Sequence, residues 1–166
     1  MDALAAEAGI TKPILYRHFG DRAGLASAIA DRFASELERE LLTSVARVTD
    51  DTRELLVVVI DAFVAYIERD AALYRFLVQR SNVDVVDVSD FLARLSNYIA
   101  AGIGESLRNA GRDSGGAEVI ARGVVSFVYA AGDWWVDHQT MPRSRLVAYM
   151  ADFLTEGFNG QWGSPE

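Results

Sequence analysis

The chain has 166 residues, 51% hydrophobic and 24% charged, enough apolar sequence to bury one sizeable core. It contains no cysteine, which excludes disulfides, thiol catalysis and cysteine-ligated metals. Sixteen basic against 24 acidic residues leave a net charge of −8, which argues against a protein that coats nucleic acid. No apolar run is long enough to span a bilayer, and Asp2 follows Met1 where a secretory signal would be basic and apolar, so a cytoplasmic protein is expected.

The first predicted element is a short helix from Asp2 to Ala8, stopped by Gly9, a residue that tolerates the left-handed backbone of a helix end. Thr11 can cap a second helix, Lys12 to Phe19, with Pro13 just inside its start, where a missing N–H costs nothing. That helix carries Lys12, Tyr16, Arg17 and His18, with Phe19 expected in the core of the head, and Gly20 and Asp21 end it and open a third. Two short helices joined by a tight glycine-containing turn, the second basic and aromatic, form the arrangement that enters a major groove. In residues 1–24, Lys12, Arg17 and Arg22 balance Asp2, Glu7 and Asp21, so the whole net negative charge lies beyond the head.

From Arg22 to about Val48 Leu25, Ile29, Phe33, Leu37 and Leu41 recur every four residues, with charged residues on the other faces, as in one long amphipathic lever. Thr49, Asp50 and Asp51 interrupt the pattern, and helix resumes to about Arg69. Asp70 can cap a shorter helix, Ala71 to Arg80, and the stretch SNVDVVDVSD reads as a loop ending in a cap. A further helix runs from Phe91 to near Gly111, GRDSGG is a flexible loop, and two last helices cover Ala117–His138 and about Pro142–Phe158. No strand signal survives. The expected fold class is all-α, divided into a head at 1–24, a linker helix at 25–48 and a core at 49–166.

Both terminal helices are apolar over more than one face, and a second copy is the simplest cover for the surplus. This predicts a twofold dimer through Val124, Val128, Ala131 and Trp135 on one helix and Leu146, Tyr149, Met150 and Phe153 on the other.

The run GITKPILYRHFGDRAGL resembles the signature of tetracycline-repressor-type (TetR family) regulators, in which an aromatic–x–His/Tyr–Phe spacing marks the recognition helix. The detailed likeness covers about the first 25 residues; the rest is similar in architecture only. The resemblance implies that Lys12, Pro13 and Ile14 face bases, that Thr11, Tyr16 and His18 hold phosphates with Arg17 on the same basic helix, and that Arg22 binds a backbone oxygen at the next helix start. It implies one more helix ahead of Asp2, on which Ala3, Leu4, Ile14, Leu15 and Phe19 would pack. A start further upstream is therefore expected; the alternative is a dimeric small-molecule-binding protein of the same fold that no longer touches DNA.

The resemblance also implies an effector cavity in the core. Phe63, Tyr66, Tyr74, Phe76, Tyr98, Phe127 and Trp134 are the expected lining, suited to a small apolar or aromatic molecule, with Tyr66, Gln79, Arg94, Asn97 and Tyr98 as its polar groups. No catalytic residue, metal site or cofactor is expected. His18 lies in the recognition helix and His138 at a helix end without a paired serine nucleophile. Asp84, Asp87 and Asp90 lack the spacing and glycine of a calcium loop, and Gly102 and Gly104 follow a helix rather than the strand of a dinucleotide site. The expected protein is a one-component transcriptional regulator, a repressor that binds double-stranded operator DNA as a homodimer and is released by its effector.

Overall fold

The computed structural model describes residues 2–45, 52–79 and 88–157. Among these residues there are eight α-helices and no strand. Three belong to the head and the lever: α1 (Asp2–Glu7), α2 (Lys12–Phe19) and α3 (Arg22–Val45). The body is built from α4 (Thr52–Arg69), α5 (Ala71–Gln79), α6 (Val88–Asn109), α7 (Ala117–His138) and α8 (Arg143–Glu156).

The boundaries follow local chemistry. Asp70 accepts a hydrogen bond from the Leu73 N–H at 3.0 Å and so opens α5 as its cap. Pro142, the expected start of α8, stands just outside it as its N-cap in extended backbone, so the helix begins one residue later, at Arg143. The beginning of α6 differs from the sequence reading, which placed Val88, Ser89 and Asp90 in a loop; all three are helical. Asp90 sits in the first turn, where a carboxylate favours the positive end of the helix dipole. Thr49–Asp51, Arg80, Asp84, Asp87 and Phe158 lie outside the described residues, as does the expected end of the lever at 46–48.

Helix α4 is the hub. It buries Ile60, Phe63, Val64, Tyr66 and Ile67 and packs against α8, α3 and α7 at once. Ile60 and Ile67, at 1% and 0% exposure, each contribute on the order of 1.5–3 kcal/mol by leaving water. Leu37 and Leu41 come from α3, Trp135 and Val136 from α7, and Leu146, Val147, Met150 and Ala151 from α8. Arg53 near the start of α4 pairs with Asp152 late in α8 at 2.6 Å, while Arg143 at the start of α8 reaches Asp61 at 2.9 Å and Glu68 at 2.8 Å on α4. The two helices are therefore antiparallel, held by ion pairs towards both ends. The Trp135 indole N–H donates to the Met141 carbonyl at 2.8 Å and ties down the turn between α7 and α8.

Of the residues expected on a dimer face, Trp135, Leu146 and Met150 are buried inside the single chain, at 2%, 5% and 2% exposure. Their surface is consumed by the protomer's own core, and Val124, Val128, Ala131, Tyr149 and Phe153 are half-buried. The outward stripe of α7 is instead Val119, Gly123, Ser126, Ala130 and Trp134, all exposed. Trp134 stacks on His138 with ring centroids 5.0 Å apart. No helix among the described residues is long and apolar enough to cross a membrane.

Candidate nucleic-acid interface

The turn between α1 and α2 is shaped by backbone hydrogen bonds. Gly9 adopts φ 64°, which allows the Ile10 N–H to reach the Ala5 carbonyl at 3.0 Å and the Gly9 N–H that of Ala6 at 3.2 Å. Thr11 stands at the N-cap of α2 in extended backbone, but its hydroxyl makes no cap hydrogen bond; its carbonyl accepts from the Ile14 and Leu15 N–H groups. At the far end Gly20 closes α2 through its N–H to the Tyr16 carbonyl at 2.8 Å. Asp21 then caps α3, its carboxylate accepting from the Gly24 N–H at 2.8 Å. Gly24 has a second role: a Cβ there would collide with the Phe19 carbonyl oxygen, so α2 and α3 can approach this closely only around a glycine.

These constraints turn one side of α2 inward and the other out. Leu15 is the buried residue of α2, packed in the small core of the head with Ala5, Ala26 and Ala30 also buried. Thr11, Lys12, Pro13, Tyr16, Arg17, His18 and Arg22 are exposed, and Ile14 is half-buried. Phe19, expected in the core, is 36% exposed instead, its ring 6.4 Å from that of His18. It follows the Leu15 contact by a full turn, at the point where the chain already bends into α3.

The sequence gives no signal for the electrostatic detail of this surface. Asp2, at the start of α1, holds the Lys12 ammonium with both carboxylate oxygens, at 2.9 and 3.1 Å. The hydrogen bond and the charge of the partner hold the Asp2 carboxyl below its ordinary value and the Lys12 ammonium above its own. No ion pair engages Arg17 or Arg22 among the described residues.

A head whose α2 presents an exposed basic and aromatic surface, joined to the helices of the body, has counterparts among known proteins at the level of sequence. Residues 1–29 match the family described as bacterial regulatory proteins, tetR family, and residues 41–161 match the tetracyclin repressor-like C-terminal domain. The chain belongs to the tetR family. It is 28% identical over 154 residues to an uncharacterized HTH-type transcriptional regulator of Mycobacterium tuberculosis strain H37Rv, covering 90% of this chain and 64% of that protein. It is 27% identical over 139 residues to the HTH-type transcriptional activator FasR of Mycolicibacterium smegmatis, covering 83% of this chain and 63% of that one. The chain thus spans a little under two thirds of the length of these relatives.

In this tetR-family body, the aromatic residues singled out by sequence do not form one cluster. Phe63, Tyr66 and Tyr74 are buried, Phe76 and Phe127 are half-buried, and Tyr98 and Trp134 are exposed at 58% and 46%. The polar candidates Arg94 and Asn97 are exposed on α6. Phe33 of the lever meets the Tyr66 ring edge-on at 4.7 Å, and the Tyr66 hydroxyl donates to the Phe33 carbonyl at 3.1 Å. The Tyr74 hydroxyl donates to the Asp133 carboxylate at 2.9 Å. Burial pushes the Tyr74 and Tyr129 phenols up from the ordinary tyrosine value, Tyr74 far enough to stay protonated well past the usual range. Tyr129 is one of the middle-helix aromatics visible in the sequence, but the role of Asp133 as partner of Tyr74 is one that sequence reasoning missed, because only the neighbour across the helix interface reveals it. A surface groove of about 500 Å³, lined by Ser35, Glu38, Arg39, Leu42 and Thr43, runs along α3 and shares no residue with the expected lining.

Proposed function

We propose that this chain carries the recognition helix and effector-responsive body of a one-component transcriptional regulator acting in the cytoplasm as a homodimer on a palindromic operator. The observation that carries the reading is the outward face of α2, where Lys12, Pro13, Tyr16, Arg17 and His18 stand exposed on a helix whose two ends are fixed by tight turns. A helix presented in this way reads bases from its first turn and holds phosphates with its flanking polar groups. In the dimer the paired α7 helices would set the spacing of two such heads on successive turns of DNA. The head at 1–24, the lever at 25–48 and the body at 49–166 serve as reader, arm and sensor.

The route from sensor to reader is α3. Tyr66 and Arg69 of α4 grip it through Phe33, Glu36 and Glu40, with the Arg69–Glu40 pair at 3.2 Å. A small apolar or aromatic effector lodged beside Phe63, Tyr66 and Tyr74 would displace this grip and swing the head, coupling the two sites by roughly 1–3 kcal/mol. The reading is repression by promoter occlusion. The relative FasR carries the name of an activator, so a promoter–reporter fusion with and without the regulator decides the sign. Fluorescence anisotropy on the protein's own promoter fragment at about 50 mM salt tests DNA binding itself. Saturable binding is expected; none at any salt concentration would favour the alternative, a small-molecule-binding dimer that has left DNA behind.

A further inference from the structure

We propose that Asp2 is a specificity-determining residue of the DNA-binding head: it occupies Lys12 and keeps that ammonium from neutralising phosphate on DNA of unrelated sequence. The inference rests on the DNA-binding reading above. Lys12 is the only lysine of the chain, and it stands in the first turn of α2, where a cation meets DNA first. A lysine ammonium is a compact point charge with rotatable donors, so it serves any phosphate it can reach and discriminates poorly on its own. In the structure both oxygens of Asp2 already hold it, at 2.9 and 3.1 Å, as two phosphate oxygens would. The side chains are 47% and 81% exposed, so the pair faces solvent and can open.

The consequence is an exchange rather than a gain. For Lys12 to neutralise a phosphate it must leave one anion for another, and Asp2 is then left unpaired beside the backbone of the DNA. Arg17 and Arg22, with no ion pair among the described residues, meet no such penalty. Sequence-independent binding, which comes almost wholly from neutralised phosphates, is thereby reduced by one contact per head. A base edge that offers Lys12 two acceptors, such as guanine O6 and N7, can repay the exchange where a lone phosphate does not. The acidic body does the same work at long range; Asp2 does it at the recognition helix.

The test uses the full chain, a random-sequence DNA duplex and the salt dependence of binding. Asp2→Asn should steepen the log–log salt slope by about one per head engaged, so that between 200 and 50 mM salt each head gains roughly threefold more affinity than in the parent. In a Lys12→Met background the same Asp2→Asn change should leave the slope where it was. An unchanged slope in Asp2→Asn overturns the proposal. Equal steepening with and without Lys12 also overturns it, since Asp2 would then act as a general repulsive charge. If the parent binds no duplex even at 50 mM salt, it is the DNA-binding reading that falls, and the inference falls with it. A readout independent of DNA is the NMR signal of the single, isotopically methylated lysine. Its titration should move towards the ordinary lysine value in Asp2→Asn, and an unmoved titration would show that the pair does not hold Lys12 in solution.

Discussion

Gly132 stands where α7 crosses α4, and the crossing has no room for a side chain. A Cβ there would lie 2.7 Å from the Phe63 ring and 3.3 Å from Ile67, both in the buried core. Gly132→Ala should therefore lower stability by about 1–3 kcal/mol despite its higher helix propensity, seen as a shifted denaturant midpoint with an unchanged slope. Tyr74 makes a different kind of prediction. Its phenol is raised above the ordinary value of 10.0, chiefly by burial, then by Tyr129 and the bond to Asp133. A raised folded value means that below about pH 10 both states keep the proton and stability is intact. Above about pH 10 the unfolded chain releases it first, and stability falls by about 1.4 kcal/mol per pH unit for each such tyrosine. Tyr74→Phe should flatten this alkaline decline by about one proton while weakening the protein at neutral pH through the lost Asp133 contact. Parallel pH profiles for the two proteins would refute the assignment.

At the scale of the elements, the capping of α3 decides how firmly the head is joined to its lever. Asp21 supplies the cap through the Gly24 N–H, next to the glycine that lets α2 and α3 approach. Asp21→Ala should cost about 1 kcal/mol, concentrated in the head, and speed proteolysis of residues 1–24 more than of the body. If protection of head and body falls equally, the cap does not act locally. This junction was legible in the sequence, because Gly9, Pro13, Gly20 and Asp21 act through backbone rules that need no partner from elsewhere in the fold. The ends of α7 were legible for the same reason. The start of α6 was not: alternating valines and aspartates suit a loop, and only the structure shows that the helix already begins at Val88. Likewise the pairing of Asp2 with Lys12 and of Tyr74 with Asp133 joins separate helices. No spacing along the chain announces either. Phe19, read as core, is 36% exposed with α1–α3 alone around it, because Leu15 takes the inward position one turn earlier.

For the whole molecule, charge and symmetry are linked. The head is neutral and the rest carries the net charge of −8, so a single head has few phosphate contacts with which to overcome the repulsion of its body. In the proposed dimer, two heads on one duplex would convert the second contact into an intramolecular one, a gain that depends on the dimer face. Periodicity could not show which stripe of α7 is free for the proposed dimer, because the helix is apolar over more than one face; the core takes Trp135 and Val136 and leaves Val119, Gly123, Ser126, Ala130 and Trp134 outside. Small residues at 123, 126 and 130 allow close approach of a second helix, with Val119 and Trp134 as apolar ends. Ala130→Arg places a long cation in the middle of this stripe without touching the protomer's core. It should yield a monomer in sedimentation experiments, with circular dichroism unchanged and tryptophan emission shifted to the red as Trp134, 46% exposed in the single chain, loses its cover. Affinity for the promoter fragment should fall on the order of a hundredfold or more, far beyond what one added positive charge would do, and in the opposite direction. A variant that stays dimeric places the interface on another face. One that becomes monomeric yet binds DNA as well as the parent shows that a single neutral head suffices.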